Sequence, residues 1–176
     1  MKKAIPEISL TLILLSFIAQ AQPSIEVYGF LGHTGVDEEA WAGNTLREYE
    51  KFTSGYYLQV FPYSNDLFGI GVEYGYSYLL YYAFSDGVNN IERNVDATRF
   101  LAVFRLFPKK KLFFEGGLGY YFFDGFSDFT VALAAGYQVK ITDNFSIPLK
   151  FRNNLIFDTD ANIFQPGLDV GVAYRF

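Results

Sequence analysis

The chain has 176 residues, enough for one domain, yet charged side chains make up only 19% and aromatic ones 20%, which is charge-poor and aromatic-rich for a soluble domain. It has no Cys, so disulfides, thiolate metal sites and a cysteine nucleophile are excluded. The formal net charge is −5 and no basic stripe is present, which argues against a nucleic-acid partner.

The first segment has the layout of a secretory signal. Met1-Lys2-Lys3 gives a basic start, and an apolar run from Ile8 to Ala19 follows, broken only by Ser and Thr. Ala19-Gln20-Ala21 then supplies a small-x-small cleavage site. The apolar run is too short for a good spanning helix. These features predict a cleaved signal peptide over residues 1–21 and a mature domain over residues 22–176. Removing Lys2, Lys3 and Glu7 takes the 14 basic and 19 acidic residues to 12 and 18, a formal charge of −6.

The mature chain alternates with period two, the mark of strands with two unlike faces. Strand one is expected over Ile25–Gly32, followed by a polar connection over His33–Glu50. Strand two covers Lys51–Phe61, Pro62–Asp66 makes a turn, and strand three covers Leu67–Tyr78. Residues 79–94 read as a second long connection. Strand four covers Val95–Phe107, Pro108–Lys111 turns, and strand five covers Leu112–Phe122. A connection with Asp124-Gly125 leads to strand six, Phe129–Ile141. Thr142–Asn144 turns the chain into strand seven, Phe145–Phe157. Asp158–Asn162 leads to strand eight, Ile163–Phe176. Eight meandering strands can close without a free edge. The pattern predicts an all-β fold, an eight-stranded antiparallel up-and-down barrel.

The two faces differ in kind. In strand eight, Leu168, Val170, Val172, Tyr174 and Phe176 oppose Gly167, Asp169, Gly171, Ala173 and Arg175. Strands three to six repeat the contrast of large apolar against small or charged. Oily residues outward and small or ionic residues inward is the reverse of a soluble barrel, and a bilayer supplies the reason. The inward charges are Glu26, Glu73, Glu115 and Asp169 against Arg99, Arg105, Lys140, Lys150, Arg152 and Arg175. Buried charges without partners are costly, so a salt-bridged, hydrated interior network is expected. Tyr28 and Phe30 leave the facing of strand one open.

The signal, the eight strands and the ending Tyr174-Arg175-Phe176 resemble the small outer-membrane β-barrel superfamily, with its OmpA-type and OmpX-type members. The glycine-rich strands and short Asp/Asn turns look broadly like barrels of the Bacteroidota group. The resemblance implies a transmembrane barrel in a bacterial outer membrane, both termini periplasmic, surrounded by outer-membrane lipid and lipopolysaccharide. It also implies that Val172, Tyr174 and Phe176 form a signal read by the outer-membrane assembly machinery. A monomer is expected.

The proposed outer loops are acidic. Asp37, Glu38, Glu39, Glu48, Glu50, Asp86, Glu92, Asp124, Asp128, Asp158 and Asp160 stand there against Arg47 and Arg93. Such a rim could hold divalent cations, but no stretch matches an EF-hand loop, and no cofactor is expected. Trp41, in the first loop, is a candidate contact for an unknown surface ligand. The sole His, His33, ends strand one, and no compact hydrolase motif surrounds candidates such as Ser54. The reading is a non-enzymatic barrel with a structural or surface-binding role through acidic loops. A lipid A acylase or acyltransferase and a narrow ion-conducting barrel are the alternatives.

Overall fold

A computed structural model describes residues 22–36, 45–50, 52–85, 90–109, 111–157 and 162–176. Among these described residues ten strands form in chain order: β1 Ser24–His33, β2 Gly35–Val36, β3 Thr45–Glu50, β4 Phe52–Ser64, β5 Phe68–Ser85, β6 Asn90–Lys109, β7 Leu112–Phe122, β8 Ser127–Lys140, β9 Phe145–Phe157 and β10 Asn162–Arg175. Eight of them are barrel staves, β1 and β4 to β10, each antiparallel to the next. Pairing of β1 with β10, from Ser24↔Arg175 to Gly32↔Gly167, closes the sheet on itself. The short β2 extends β10, and β3 extends the sheet along β5. The chain is thus a closed eight-stranded antiparallel barrel.

Local chemistry sets the turns. The Asn65 carboxamide oxygen accepts from the backbone N–H groups of Leu67 (2.8 Å) and Phe68 (2.9 Å), and Thr142 Oγ1 accepts from Phe145 N–H (3.0 Å). Such side-chain capping reverses the chain in few residues. Gly125, between β7 and β8, has φ of +92°, a conformation that side chains with a Cβ rarely adopt. Gln22, the first described residue, and Arg175 both lie at the turn end of the barrel: Gln22 N–H donates to Ser64 O (2.8 Å) and Arg175 N–H to Asn144 O (2.9 Å).

The alternation sorts residues as the faces require. Leu118, Leu133, Leu168, Val170 and Val172 are exposed around the outside. Tyr28, Tyr57, Leu101, Phe113 and Tyr121 are buried inside, and so are Glu26, Glu73, Arg99 and Arg105. Strand one resolves with Glu26, Tyr28 and Phe30 inward and Ile25, Val27 and Leu31 outward.

Two connections are shorter than the sequence suggests. β5 runs to Ser85 and β6 starts at Asn90, so most of residues 79–94 is strand, and Thr45–Glu50 is strand as well. The register of β5 against β6 shifts between Tyr78 and Leu80. A bulge of this kind breaks the two-residue period on which a strand is recognised. β5 and β6, at 18 and 20 residues, greatly exceed the 11 of β7. A tilted strand crosses a bilayer in about ten residues. The β3–β5–β6 side therefore continues beyond the spanning band at the loop end.

Candidate functional site in the barrel lumen

Eight of the ten charged residues singled out by their inward parity meet in one buried chain of ion pairs. Arg105 grips Glu26 with both terminal nitrogens, Nη1 to Oε1 at 2.7 Å and Nη2 to Oε2 at 2.8 Å. The same guanidinium reaches Glu115 Oε2 at 2.6 Å. Glu115 Oε1 in turn lies 2.7 Å from Lys150 Nζ and 3.0 Å from Arg152 Nη2. Arg152 then forks onto Glu73, with Nη1 to Oε1 at 2.7 Å and Nη2 to Oε2 at 2.6 Å. Its Nε lies 3.4 Å from Asp169 Oδ2. Arg99 ends the chain with Nε 2.7 Å from Glu73 Oε1, an ion pair whose N–H points off the hydrogen-bonding line.

Four carboxylates face four cations, so the network is neutral in total. Neutrality and multiple hydrogen bonds are what a low-dielectric interior demands of buried ions. Aromatic rings add to the cation side. The Arg105 guanidinium carbon is 4.4 Å from the ring centres of both Phe61 and Phe113, and Lys150 Nζ is 4.2 Å from that of Tyr28.

Neutral polar groups complete the network, and the charge pattern does not reveal them. Gln59 Nε2 donates to Glu73 (2.7 Å) and to Glu115 (2.9 Å), while its Oε1 accepts from Arg105 (3.0 Å). The Tyr57 hydroxyl donates to Asp169 and that of Tyr28 to Glu26, each at 2.5 Å, and the two rings stack at 4.8 Å. Arg99 Nη1 donates to the Tyr121 hydroxyl, which donates to Gln165 Oε1, both at 2.9 Å. Asn154 Nδ2 also donates to that oxygen, at 2.8 Å. These residues share the inward parity of the charges, and that was the available signal.

Among the described residues, apolar clusters lie in the lumen above and below the network. Leu79, Ala97, Tyr121 and Ile156 are fully or almost fully buried at the loop end, with Val95, Phe123 and Ile163 packed against them. Towards the turn end, Phe61, Leu101, Val103 and Ala132 cluster, and Phe107 and Phe113 pack at 6.2 Å.

Lys140 and Arg175 do not join the network, contrary to the expectation from parity. Lys140 is exposed and pairs with Asp143 in the neighbouring turn at 2.7 Å. That hydrogen bond and the ammonium charge hold the Asp143 carboxyl below its usual range. Arg175, half-buried beside the turns, has its Nη1 3.5 Å from Gln22 Oε1. Both have the inward parity but lie at the barrel mouth, where water solvates them. Val172, Tyr174 and Phe176 face outward, with the Tyr174 ring 4.9 Å from Phe176 and 5.0 Å from Phe145. His33 is exposed at the top of β1, opposite Phe52 of β4. Trp41 lies outside the described residues.

Solved structures share this architecture. Ail of Yersinia pestis, in complex with the heparin analogue sucrose octasulfate, is 18% identical, with a TM-score of 0.55 over 89% of this chain and 99% of its own. Neisserial surface protein A is 12% identical, with a TM-score of 0.60 over 88% and 97%. OprG from Pseudomonas aeruginosa is 12% identical, with a TM-score of 0.54 over 89% and 97%. The fold is that of the small eight-stranded outer-membrane barrels. No curated protein matches the chain in sequence. Residues 43–176 match a family model described as protein of unknown function, DUF481.

Proposed function

The chain belongs to the DUF481 family, and we propose that it is a non-enzymatic outer-membrane barrel that binds a surface partner through its loop end. In this reading residues 1–21 are a cleaved signal, the turn end faces the periplasm, and the loops face outside. The observation that carries it is the lumen. Among the described residues a neutral, buried ion-pair chain lies between two apolar clusters, which argues against a wide aqueous path. Eight strands enclose only enough room for side chains. The exterior is therefore where function resides, and the overrunning β3–β5–β6 side offers surface above the bilayer.

The sign of the rim narrows the partner. The segments that the sequence reads as loops carry eleven acids against Arg47 and Arg93; the structure puts Glu48 and Glu50 in β3 and Glu92 in β6, and it buries Asp128 in β8, which takes Asp128 out of the rim. Ail is described in complex with a sulfated sugar analogue. A polyanion of that type would be repelled here, so a basic partner surface is the better match.

Cross-linking on intact cells that display the chain tests this. Neutralising the acids of residues 34–50 to Asn and Gln should abolish capture of the partner, while the barrel keeps its heat-modifiable migration on gels. Swelling of liposomes by small solutes, or a changed lipid A mass on exposure to the purified barrel, would overturn the proposal.

A further inference from the structure

Most inward glycines of the barrel are explained by contact. A Cβ at Gly119 would sit 2.0 Å from Phe100 O, one at Gly75 2.4 Å from Tyr57 Cβ, and one at Gly136 2.3 Å from the Phe113 ring. Gly116 is different. It lies on the outward face of β7, a Cβ there would meet nothing within 4 Å, and its φ is not positive. Neither packing nor backbone geometry requires glycine at this position, and glycine inside a strand is itself unfavourable.

Register shows what the missing side chain creates. Across the sheet, Ile70, Phe104, Gly116 and Leu133 form one outward row. The next row is Val72, Ala102, Leu118 and Val131. Gly116 leaves a gap in the first row and Ala102 a shallow place in the second, on adjacent strands. The two join into an apolar furrow of about 380 Å³, walled by Ile70, Phe104, Leu118 and Leu133. Phe104, Leu118 and Leu133 are themselves exposed, so the furrow is continuous with the lipid-facing band.

We propose that this furrow seats one acyl chain of a membrane lipid, held longer than the chains around it. The inference rests on the membrane reading of the exterior. An indentation in a lipid-facing wall must be filled, because a void forfeits the dispersion contacts of its lining. A flexible apolar chain has the chemistry to fill it, with no polar group on the walls to disfavour it. A chain lying in the furrow contacts side chains on two flanks as well as the floor, whereas a chain on a flat part of the wall touches one surface.

Native mass spectrometry of the barrel released from bilayer nanodiscs reads this directly. The wild type should retain one lipid adduct. Gly116→Phe, which fills the furrow, should lose it, and Gly116→Val should reduce it. Gly29→Phe is the control: Gly29 is also outward with nothing within 4 Å of a Cβ, but it does not line the furrow. It should keep the adduct. Heat-modifiable migration checks that each variant is folded, and G116V serves if G116F fails to fold. An adduct absent from the wild type, or retained equally by G116F and G29F, overturns the proposal. A dimer that G116F dissolves would place a second copy in the furrow and overturn it too. A barrel that stays soluble without detergent and never enters nanodiscs would instead sink the membrane reading beneath it.

Discussion

Replacing Glu115 with alanine removes the carboxylate that three cations share. Arg105 keeps Glu26, and Arg152 keeps Glu73 and Asp169. Lys150 keeps only Gln59 Oε1 at 3.3 Å and the faces of Tyr28 and Tyr57. The lumen passes from neutral to one uncompensated positive charge on the buried Lys150. Removing one member of a buried pair costs about 3–5 kcal/mol, which lowers the folding equilibrium constant roughly a hundredfold or more. Lys150→Met should cost less, because Glu115 still holds Arg105 and Arg152 and the methionine fills the space. The exposed Lys140–Asp143 pair supplies the control, and Asp143→Asn should leave stability unchanged. Urea titration of the barrel in lipid vesicles, followed by tyrosine fluorescence and by gel migration, ranks the three. An E115A barrel within about 0.5 kcal/mol of wild type would refute the network as a determinant of stability. So would a K150M barrel weaker than E115A.

Further outcomes follow from the same architecture. Leu133 is exposed at the middle of β8, so Leu133→Arg places a charge near the bilayer centre and should destabilise the vesicle-embedded barrel by about 2–4 kcal/mol. A full-strength barrel carrying L133R would mean that this wall does not face lipid. Gly119→Ala drives a Cβ into the Phe100 carbonyl and should cost about 1–3 kcal/mol, whereas Gly116→Ala meets open space and should stabilise by about 0.5–1 kcal/mol. Equal urea midpoints for the two would contradict the face assignment. Protein isolated from the outer membrane should begin at Gln22, and intact mass tests this; a retained Met1 would remove the cleaved signal. Phe176→Ala should lower the amount assembled in cells while leaving refolding from urea intact, because the ring projects outward from the finished barrel. Loss of refolding as well would make Phe176 a packing residue rather than an assembly signal.

Much of the fold was legible because a bilayer imposes a strict rule on each strand. Strand eight alternates Leu168, Val170 and Val172 with Gly167, Asp169 and Gly171 without a break, and the structure keeps that sorting residue by residue. Legibility failed where the alternation did. Leu79-Leu80-Tyr81-Tyr82 is apolar at successive positions, and the register shift beside it conceals that β5 continues to Ser85. The lumen shows a second limit. Parity tells which face a side chain takes but not its height, since height depends on how each strand is staggered against the next. Lys140 and Arg175 have the parity of Lys150 and Arg152 yet finish at the mouth. Gln59 and Gln165 have the same parity and sit at the centre of the hydrogen bonding, but carry no charge to draw notice.

The asymmetry of strand length ties lumen and surface together. A barrel that only had to be stable in lipid could end every stave at the band edge, as β7 does after 11 residues. β5 and β6 continue for seven and nine residues more, and β3 pairs alongside. Backbone raised above the bilayer gains no lipid contact and exposes polar groups that water solvates equally well in an unstructured loop. Ordering those residues has an entropic cost that the membrane does not offset. Under the proposed function the raised side makes the contact with an outside partner, and removing it provides the sharpest separation of roles. Shortening β5 and β6 together by deleting residues 81–93 and joining the ends with a tight turn should leave an intact, heat-modifiable barrel with unchanged urea stability. The same barrel should lose partner capture on cells. If capture survives the deletion, the raised wall is not the binding element and the acidic segment at residues 34–50 must act without it.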